Sequence, residues 1–299
     1  MPIDFIIDDL GPITDFRARP NTPEYMAIYD QPGRRDPWPR FGYPRPGNES
    51  LSEFVENVAQ VGISRAVFTG RQGSLAGECP IPNDYIADCV GQFPQRLAGF
   101  AGIDPLIGDA ALVEVRRAIT DLKLSGIAID PPRQLPGEAI GYDNEKHLFP
   151  VYELAQNLDV PVVLTMGPMV AQFGDPWPVD RVATTFPNLK IVCSHGCWPQ
   201  VTELISLAYR RSNVYLEASI YEFLPGAEPF IDAAATIISD QVLYASAFPF
   251  NPLRTLEKFL QFPIPFEAMK KIVSENATRL LGPISATTDV VTAAVKASR

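Results

Sequence analysis

The sequence predicts a (β/α)8 TIM-type barrel that forms a single domain. From residue 50 onward, short apolar runs alternate with amphipathic segments, as in a parallel sheet wrapped by helices. The length of 299 residues suits one such barrel, which needs about 250 residues or more. An open doubly wound sheet would carry a glycine-rich phosphate loop after its first strand, and this sequence has none.

Eight apolar runs are the predicted strands. They are short and rich in β-branched or aromatic residues, as expected for parallel strands that are buried on both faces. The first ends near Ile13–Asp15. The others are Arg65–Thr69, Leu97–Ala101, Gly126–Asp130, Pro161–Thr165, Lys190–Ser194, Asn213–Glu217 and Val242–Ser246.

Apolar residues at helical spacing predict the helices between these strands. In the segment 51–60, Leu51, Phe54, Val55 and Val58 would share one helix face. The pattern identifies no helix between the second and third strands. The other predicted helices are Ala110–Leu122, Leu148–Leu158, Val179–Phe186, Val201–Tyr209, Phe230–Ile238 and Leu253–Leu260.

Two segments lie outside the alternating pattern of the barrel, which we assign to residues 1–282. Residues 17–50 are rich in proline, arginine and aromatic residues, and a loop of this length after a barrel strand predicts a lid or a subunit interface. Residues 283–299 predict a C-terminal arm, either a short helix or a disordered tail. Side chains of the loop that could contact a ring or a carboxylate are Tyr29, Arg34, Arg35, Trp38, Arg40, Phe41 and Tyr43.

The charge balance limits the partners that we expect. Lys and Arg number 25 against 35 Asp and Glu, a net charge of −10, which argues against nucleic acid as the main ligand. The first residues lack the features of a signal peptide, and no apolar run reaches about 18 residues, so we expect no membrane partner. We expect a cytoplasmic protein that forms a homodimer or a larger homo-oligomer and takes a small anionic, carboxylated molecule.

Candidate functional residues follow from the barrel itself. Catalytic groups of parallel barrels lie at the carboxyl ends of the strands. Polar residues that close apolar runs are common at a protein surface, but here many of them would meet at one barrel mouth. These residues are Asp15, Arg17, Arg19, Thr69, Arg71, Asp104, Asp130, Thr165, His195, Glu217, Tyr221 and Ser246.

Four motifs resemble those of one known family. Pro187–Pro199 is similar to the sixth-strand signature of the amidohydrolase-related family, whose members include aromatic-acid decarboxylases and related hydrolases. Val160–Pro168 and Val242–Pro249 resemble its fifth and eighth strands, and Lys271–Gly282 resembles its terminal helix. The resemblance covers residues 13 to 282 and implies the same barrel fold.

The first strand departs from the pattern of this family. The family motif there is Asp-x-His-x-His, in which two histidines bind a divalent metal, whereas this chain has Asp15, Arg17 and Arg19. A guanidinium has no lone pair to donate to a metal, and two of them repel a cation. We therefore expect no metal and no other cofactor.

The remaining ligand positions support this expectation. The fifth-strand histidine of the family corresponds to Thr165, and its eighth-strand aspartate, a ligand and general base, corresponds to Ala247. His195 alone matches a ligand position. Cys193 and Cys197 flank it, but their spacing is not a recognised zinc motif, so we interpret them as buried structural cysteines.

The arginines predict an anion site in place of the metal. Arg17 and Arg19 alternate along one strand edge and point the same way, and Arg71 could join them. Arginine binds carboxylates and phosphates through paired hydrogen bonds. The alternative is a structural network in which these arginines pair with the nearby carboxylates of Asp15, Asp130 or Glu217.

The first functional hypothesis is a metal-independent enzyme that hydrolyses a small carboxylated cyclic lactone, amide or imine. The proposed catalytic residues are His195, Asp130, Glu217 and Thr165, with Thr165 orienting His195 or a water molecule. The proposed substrate-binding residues are Arg17, Arg19, Arg71, Tyr221, Ser246 and Trp38. The alternatives are a decarboxylase or other lyase without a metal, and a non-catalytic subunit that only binds a ligand.

Overall fold

The computed structural model describes residues 7–30, 36–72, 80–132, 140–168, 175–196, 198–219 and 221–284. Eight strands lie side by side in chain order. They are β1 (Ile13–Asp15), β2 (Ile63–Thr69), β3 (Leu97–Gly102), β4 (Gly126–Ile129), β5 (Val162–Thr165), β6 (Ile191–Ser194), β7 (Val214–Glu217) and β8 (Val242–Leu243).

Each strand pairs in parallel with the next, which confirms the predicted barrel. The backbone N–H of Phe16 donates to the carbonyl of Tyr244 at 2.9 Å and nearly closes the ring of strands between β8 and β1. The eighth strand is shorter than predicted. Beyond Leu243, the N–H of Tyr244 donates to the carbonyl of Ile272, and the N–H of Ser246 donates to the side chain of Asp15, so neither pairs with a neighbouring strand.

Helices alternate with the strands around the outside. The helices named from the sequence include none between β2 and β3, where α4 lies and packs against β3. Few apolar positions mark α4: Ile86 and Cys89 are buried, and the buried polar Asn83 begins the helix. The helices are α1 (Pro23–Met26), α2 (Trp38–Phe41), α3 (Leu51–Gln60), α4 (Asn83–Gln92), α5 (Asp109–Thr120), α6 (Phe149–Asn157), α7 (Pro176–Thr185), α8 (Val201–Arg210), α9 (Glu228–Ala234), α10 (Thr255–Phe259), α11 (Phe266–Lys270) and α12 (Asn276–Leu281).

The apolar core has two parts, which follow from the alternation of side chains along each strand. One part lies inside the barrel, where Phe16, Val67, Phe100, Val163 and Leu243 pack together. The other part lies between the strands and the surrounding helices. Because both faces of the strands are covered, the backbone ends at the barrel mouth are held on a rigid frame.

The segment after β1 is more regular than an irregular loop. It contains α1, a 3-10 turn over Ala27–Asp30 and α2. Arg34, Arg35 and the C-terminal arm from residue 285 lie outside the described residues. Among the described residues, no helix is both long and apolar enough to cross a bilayer.

Candidate active site

The carboxyl ends of the strands bring nine of the ten predicted site residues to one end of the barrel. Arg17 and Arg19 follow β1, Arg71 follows β2, and Asp130 follows β4. Thr165 and Glu217 are the last residues of β5 and β7. His195, Tyr221 and Ser246 lie in the segments after β6, β7 and β8.

Asp130 links three strands at this end. Its Oδ2 accepts a hydrogen bond from the Nε of Arg71 at 2.6 Å, and its Oδ1 accepts one from the hydroxyl of Thr165 at 2.8 Å. Burial is the largest influence and raises the pKa of Asp130, but the charge and hydrogen bond of Arg71, the hydrogen bond of Thr165 and the charge of Arg17 together lower the pKa below its ordinary value. Asp130 is therefore an ionised carboxylate with both oxygens engaged.

Arg17 and Arg19 are buried without such a partner. Arg17 is only 4% exposed and Arg19 only 7%. The Nε–H of each has no hydrogen-bond partner in the described part of the chain. Burial, together with the smaller effect of the charge of Arg19, lowers the pKa of Arg17 to about 10. The alternative of a fully paired structural network thus holds for Arg71, whereas Arg17 and Arg19 keep an unused donor.

The backbone at His195 is held by β7. His195 has a positive φ of 59°, a conformation that is unfavourable for residues other than glycine. Its N–H donates to Oε2 of Glu217 at 3.1 Å, and the N–H of Gly196 donates to the Glu217 carbonyl at 2.9 Å. Gly167 packs against this turn so closely that a Cβ there would lie 2.9 Å from the Cβ of His195.

The imidazole of His195 is neutral. Burial lowers its pKa well below the ordinary value of 6.5, and the charge of Arg17 lowers it further. Nδ1 lies 2.7 Å from the hydroxyl and 3.3 Å from the carbonyl oxygen of Ser219. Ser219 therefore fixes the orientation of the ring through Nδ1, and the neutral imidazole keeps a lone pair on one of its two nitrogens.

Two further buried carboxyl groups lie near the mouth: Asp15, which the sequence placed among the strand-end candidates, and Glu222, which it did not. Oδ1 of Asp15 accepts hydrogen bonds from the N–H groups of Arg17 and Ser246, and burial raises its pKa to about 6. Glu222 follows β7 and is 4% exposed, and its burial raises its pKa to about 8. The sequence signal for Glu222 is only its place in a segment that follows a barrel strand.

Trp38 lies apart from this cluster. Its ring is completely buried, and its indole N–H donates to the carbonyl of Pro249 at 2.7 Å. It packs against Tyr29 and Phe250 at centroid distances of 5.1 and 5.7 Å. Trp38 therefore fastens the segment after β1 to the segment after β8, and its role toward a substrate stays a prediction.

A cavity of about 530 Å³ opens beside the His195–Tyr221 pair. Its lining comes from the segments after several strands and includes Tyr43, Trp198 and Tyr221 together with the cationic side chains of Arg40 and Lys258. This volume lies in the range of cavities that hold small organic ligands, about 300–1,000 Å³.

The residues at the mouth do not fit a divalent metal. Arg17, Arg19, Thr165 and Ala247 occupy the positions at which the resemblance implies ligands. Asp130 is already engaged, and the described residues contain no group of three His, Cys, Asp or Glu side chains arranged to hold a metal ion. Cys193 is buried within β6, and burial raises the pKa of its thiol to about 12, which disfavours the thiolate that binds metals. Cys197 lies outside the described residues.

The amidohydrolase family profile matches residues 15–282. A 2-amino-3-carboxymuconate-6-semialdehyde decarboxylase from Dictyostelium discoideum is 29% identical over 136 residues, which cover 38% of this chain and 36% of that protein. The match thus spans much less than two thirds of that relative.

Solved structures resemble the chain over nearly its whole length. An uncharacterised TIM-barrel protein from Bordetella bronchiseptica has a TM-score of 0.79 and 32% identity, covering 90% of this chain and 98% of that one. A dihydroxybenzoic acid decarboxylase from Polaromonas sp. JS666, with bound manganese and the inhibitor 2-nitroresorcinol, has a TM-score of 0.66 and 20% identity, covering 90% and 96%. At this low identity, the second likeness concerns the fold alone.

Proposed function

The chain belongs to the amidohydrolase family, and from this premise we propose that it decarboxylates a small carboxylated ring compound without a divalent metal. The decarboxylases among the proteins that it resembles favour this reaction over the hydrolysis that the sequence first suggested. In this proposal, guanidinium groups supply the positive charge that a metal would otherwise supply.

The observation that carries the proposal is the pair of unused donors on Arg17 and Arg19. A buried polar or charged group without a partner is costly, and a functional ligand is a common reason for keeping one. An anionic oxygen between these two side chains would receive charge-assisted hydrogen bonds from a site that is already assembled. Arg71 adds a third positive charge, although Asp130 neutralises it locally.

Decarboxylation needs positive charge of this kind next to the substrate. Decarboxylation breaks the bond between a ring carbon and its carboxyl carbon, carbon dioxide leaves, and the electron pair stays on the ring carbon, which then takes a proton. Negative charge therefore moves from the carboxylate into the ring and onto any oxygen conjugated with it. Arginines that hold this oxygen stabilise the transition state more than the bound substrate, as catalysis requires.

The proton must come from a group that holds one at neutral pH. Asp130 is ionised and the imidazole of His195 is neutral, so neither donates readily. Glu222, with its pKa raised to about 8, keeps its proton. Burial is the main cause of that raised pKa, and the charge of Glu217 at the end of β7 raises it further. We propose that Glu222 is the source of the proton that the ring carbon receives.

Hydrolysis remains the second candidate because of His195. A neutral imidazole keeps a lone pair on one ring nitrogen and is therefore suited to take a proton from an attacking water. The same arginines would then stabilise the oxyanion of a lactone or amide. In this case His195→Asn should lower kcat by about 10²–10⁴-fold with little change in ligand affinity.

A panel of hydroxybenzoates and cyclic lactone carboxylates separates the two reactions. Each compound carries ¹³C in its carboxyl group, and NMR follows labelled carbon dioxide and bicarbonate while mass spectrometry follows ring-opened products. Release of label supports decarboxylation, and ring opening with the label retained supports hydrolysis. Binding of these acids without any turnover would overturn both and leave the non-catalytic subunit.

Variants test the arginines in the same assay. Arg17→Gln and Arg19→Gln should each weaken binding by about tenfold or more, since hydrogen bonds to charged groups contribute about 1.5–3 kcal/mol. Arg116→Gln removes an exposed arginine from α5 and serves as the control. Unchanged binding by both mouth variants would contradict the proposed anion site.

A further inference from the structure

We infer that a second anion site lies at the opposite, amino-terminal end of the barrel, in a cavity around Arg65 that suits a small carboxylate with an apolar body. The cavity has a volume of about 470 Å³. It lies between α4, the segment before β4 and the residues that follow α12. The inference concerns binding and is independent of the reaction at the mouth.

The strand alternation places Arg65 there. Val67 packs inside the barrel, and Arg65 precedes it by two residues on β2, so both side chains lie on the same face of the strand. Arg71 follows the other end of the same strand. Six residues of extended chain separate the two arginines by about 20 Å, so this cavity is distinct from the mouth.

The guanidinium of Arg65 is buried, and only part of its hydrogen-bonding capacity is used. It is 6% exposed, and one terminal nitrogen donates to the carbonyl of Gly282 at 3.0 Å. Its Nε and its other terminal nitrogen have no hydrogen-bond partner in the described part of the chain. Burial lowers its pKa to about 10, and the described residues give Arg65 no carboxylate partner that would compensate its charge.

The other walls indicate the class of ligand. Lys123, Gln95 and Ser125 are polar lining residues, and the described lining contains no Asp or Glu. Val90 and Leu122 contribute apolar surface. A carboxylate would reach the two free donors of Arg65 while an apolar ring or chain covered these side chains. A bare phosphate would use the charge but leave the apolar wall uncovered.

The test uses the full chain with benzoate, hexanoate and inorganic phosphate as probes. The background is the double variant Arg17→Gln/Arg19→Gln, which weakens binding at the mouth. Isothermal titration should find about one benzoate or hexanoate per chain and weaker binding of phosphate. Adding Arg65→Gln should weaken benzoate binding by at least tenfold, whereas Arg116→Gln should leave it unchanged.

A second variant keeps Arg65 and fills the cavity beside it. Ala87 lines the cavity, so Ala87→Phe should block benzoate while Arg65 remains in place. Benzoate should also raise the melting temperature of the background protein but not that of either blocked variant. The inference is overturned if neither carboxylate binds, if phosphate binds as well as benzoate, or if benzoate binding survives both Arg65→Gln and Ala87→Phe.

Discussion

At the level of single residues, buried charge is concentrated at the barrel mouth. Arg17 and Arg19 keep unused donors, and Asp15 and Glu222 are carboxyl groups whose burial raises their pKa. Each of these features costs folding free energy, because a charge or a polar group leaves water without full compensation. Such costs are typical of functional sites, where a ligand supplies the missing partner.

The pKa of Glu222 predicts how stability depends on pH. The ordinary pKa is 4.5, and in the folded chain it is raised to about 8, so between these values the folded state binds more protons than the unfolded state. The free energy of unfolding should therefore fall as pH rises through this window and level off above it. Glu222→Gln is neutral at every pH and should remove this slope.

Denaturant titrations at pH 5, 7 and 9 check this prediction. Above pH 8, Glu222→Gln should be the more stable protein, by on the order of several kcal/mol, and the difference should shrink toward pH 5. Glu222 and the exposed Glu228 line one cavity, which differs from the cavity lined by Tyr43 and Trp198, so Glu228→Gln is the matched control. A constant difference across the three pH values would mean that Glu222 is not protonated in the folded protein.

At the level of elements, the side chain of Trp38 is a central contact between the segment after β1 and the barrel. Trp38 on α2 is 1% exposed and hydrogen-bonded to the segment after β8, and Arg45 lies 5.2 Å from its ring centroid. The segment also supplies Arg40 and Tyr43 to the cavity wall. Loss of this contact should loosen the segment locally, while the strands stay intact.

Limited proteolysis tests whether the segment after β1 acts as a lid or as a subunit interface. Trp38→Ala removes a buried aromatic side chain, a change that costs about 3–5 kcal/mol, so cleavage within residues 20–50 should accelerate at least tenfold. Trp177→Ala is the control, because Trp177 is 60% exposed on α7 and its loss should not change the cleavage rate. Protection of the wild-type segment by a bound aromatic acid supports a lid. Protection only at high protein concentration would indicate a subunit interface instead.

At the level of the whole molecule, charge distribution predicts the metal content. The chain carries a net charge of −10, yet its barrel mouth gathers Arg17, Arg19 and Arg71. Elemental analysis after mild purification should find far less than one manganese or zinc per chain, and treatment with a chelator should leave ligand binding unchanged. One equivalent of metal that disappears in His195→Asn would contradict this prediction.

The sequence by itself was sufficient for the barrel, because alternating apolar strands and amphipathic helices are local patterns. It also placed nine of the ten candidate residues at one end, since the carboxyl ends of parallel strands must meet. The family membership rested on contiguous motifs such as Pro187–Pro199 and was confirmed. α4 was missed because its few apolar positions carry a weak periodic signal.

Only the tertiary structure decided which charges are paired. Arg71 pairs with Asp130, which lies 59 residues later in the chain, whereas Arg17 and Arg19 each keep an Nε–H without a partner among the described residues. The burial of Glu222, the neutral state of His195 and the packing of Trp38 likewise depend on groups that lie far apart in the chain. Hydrogen bonding and desolvation depend on distances in space, and residue order does not specify these distances until the barrel closes.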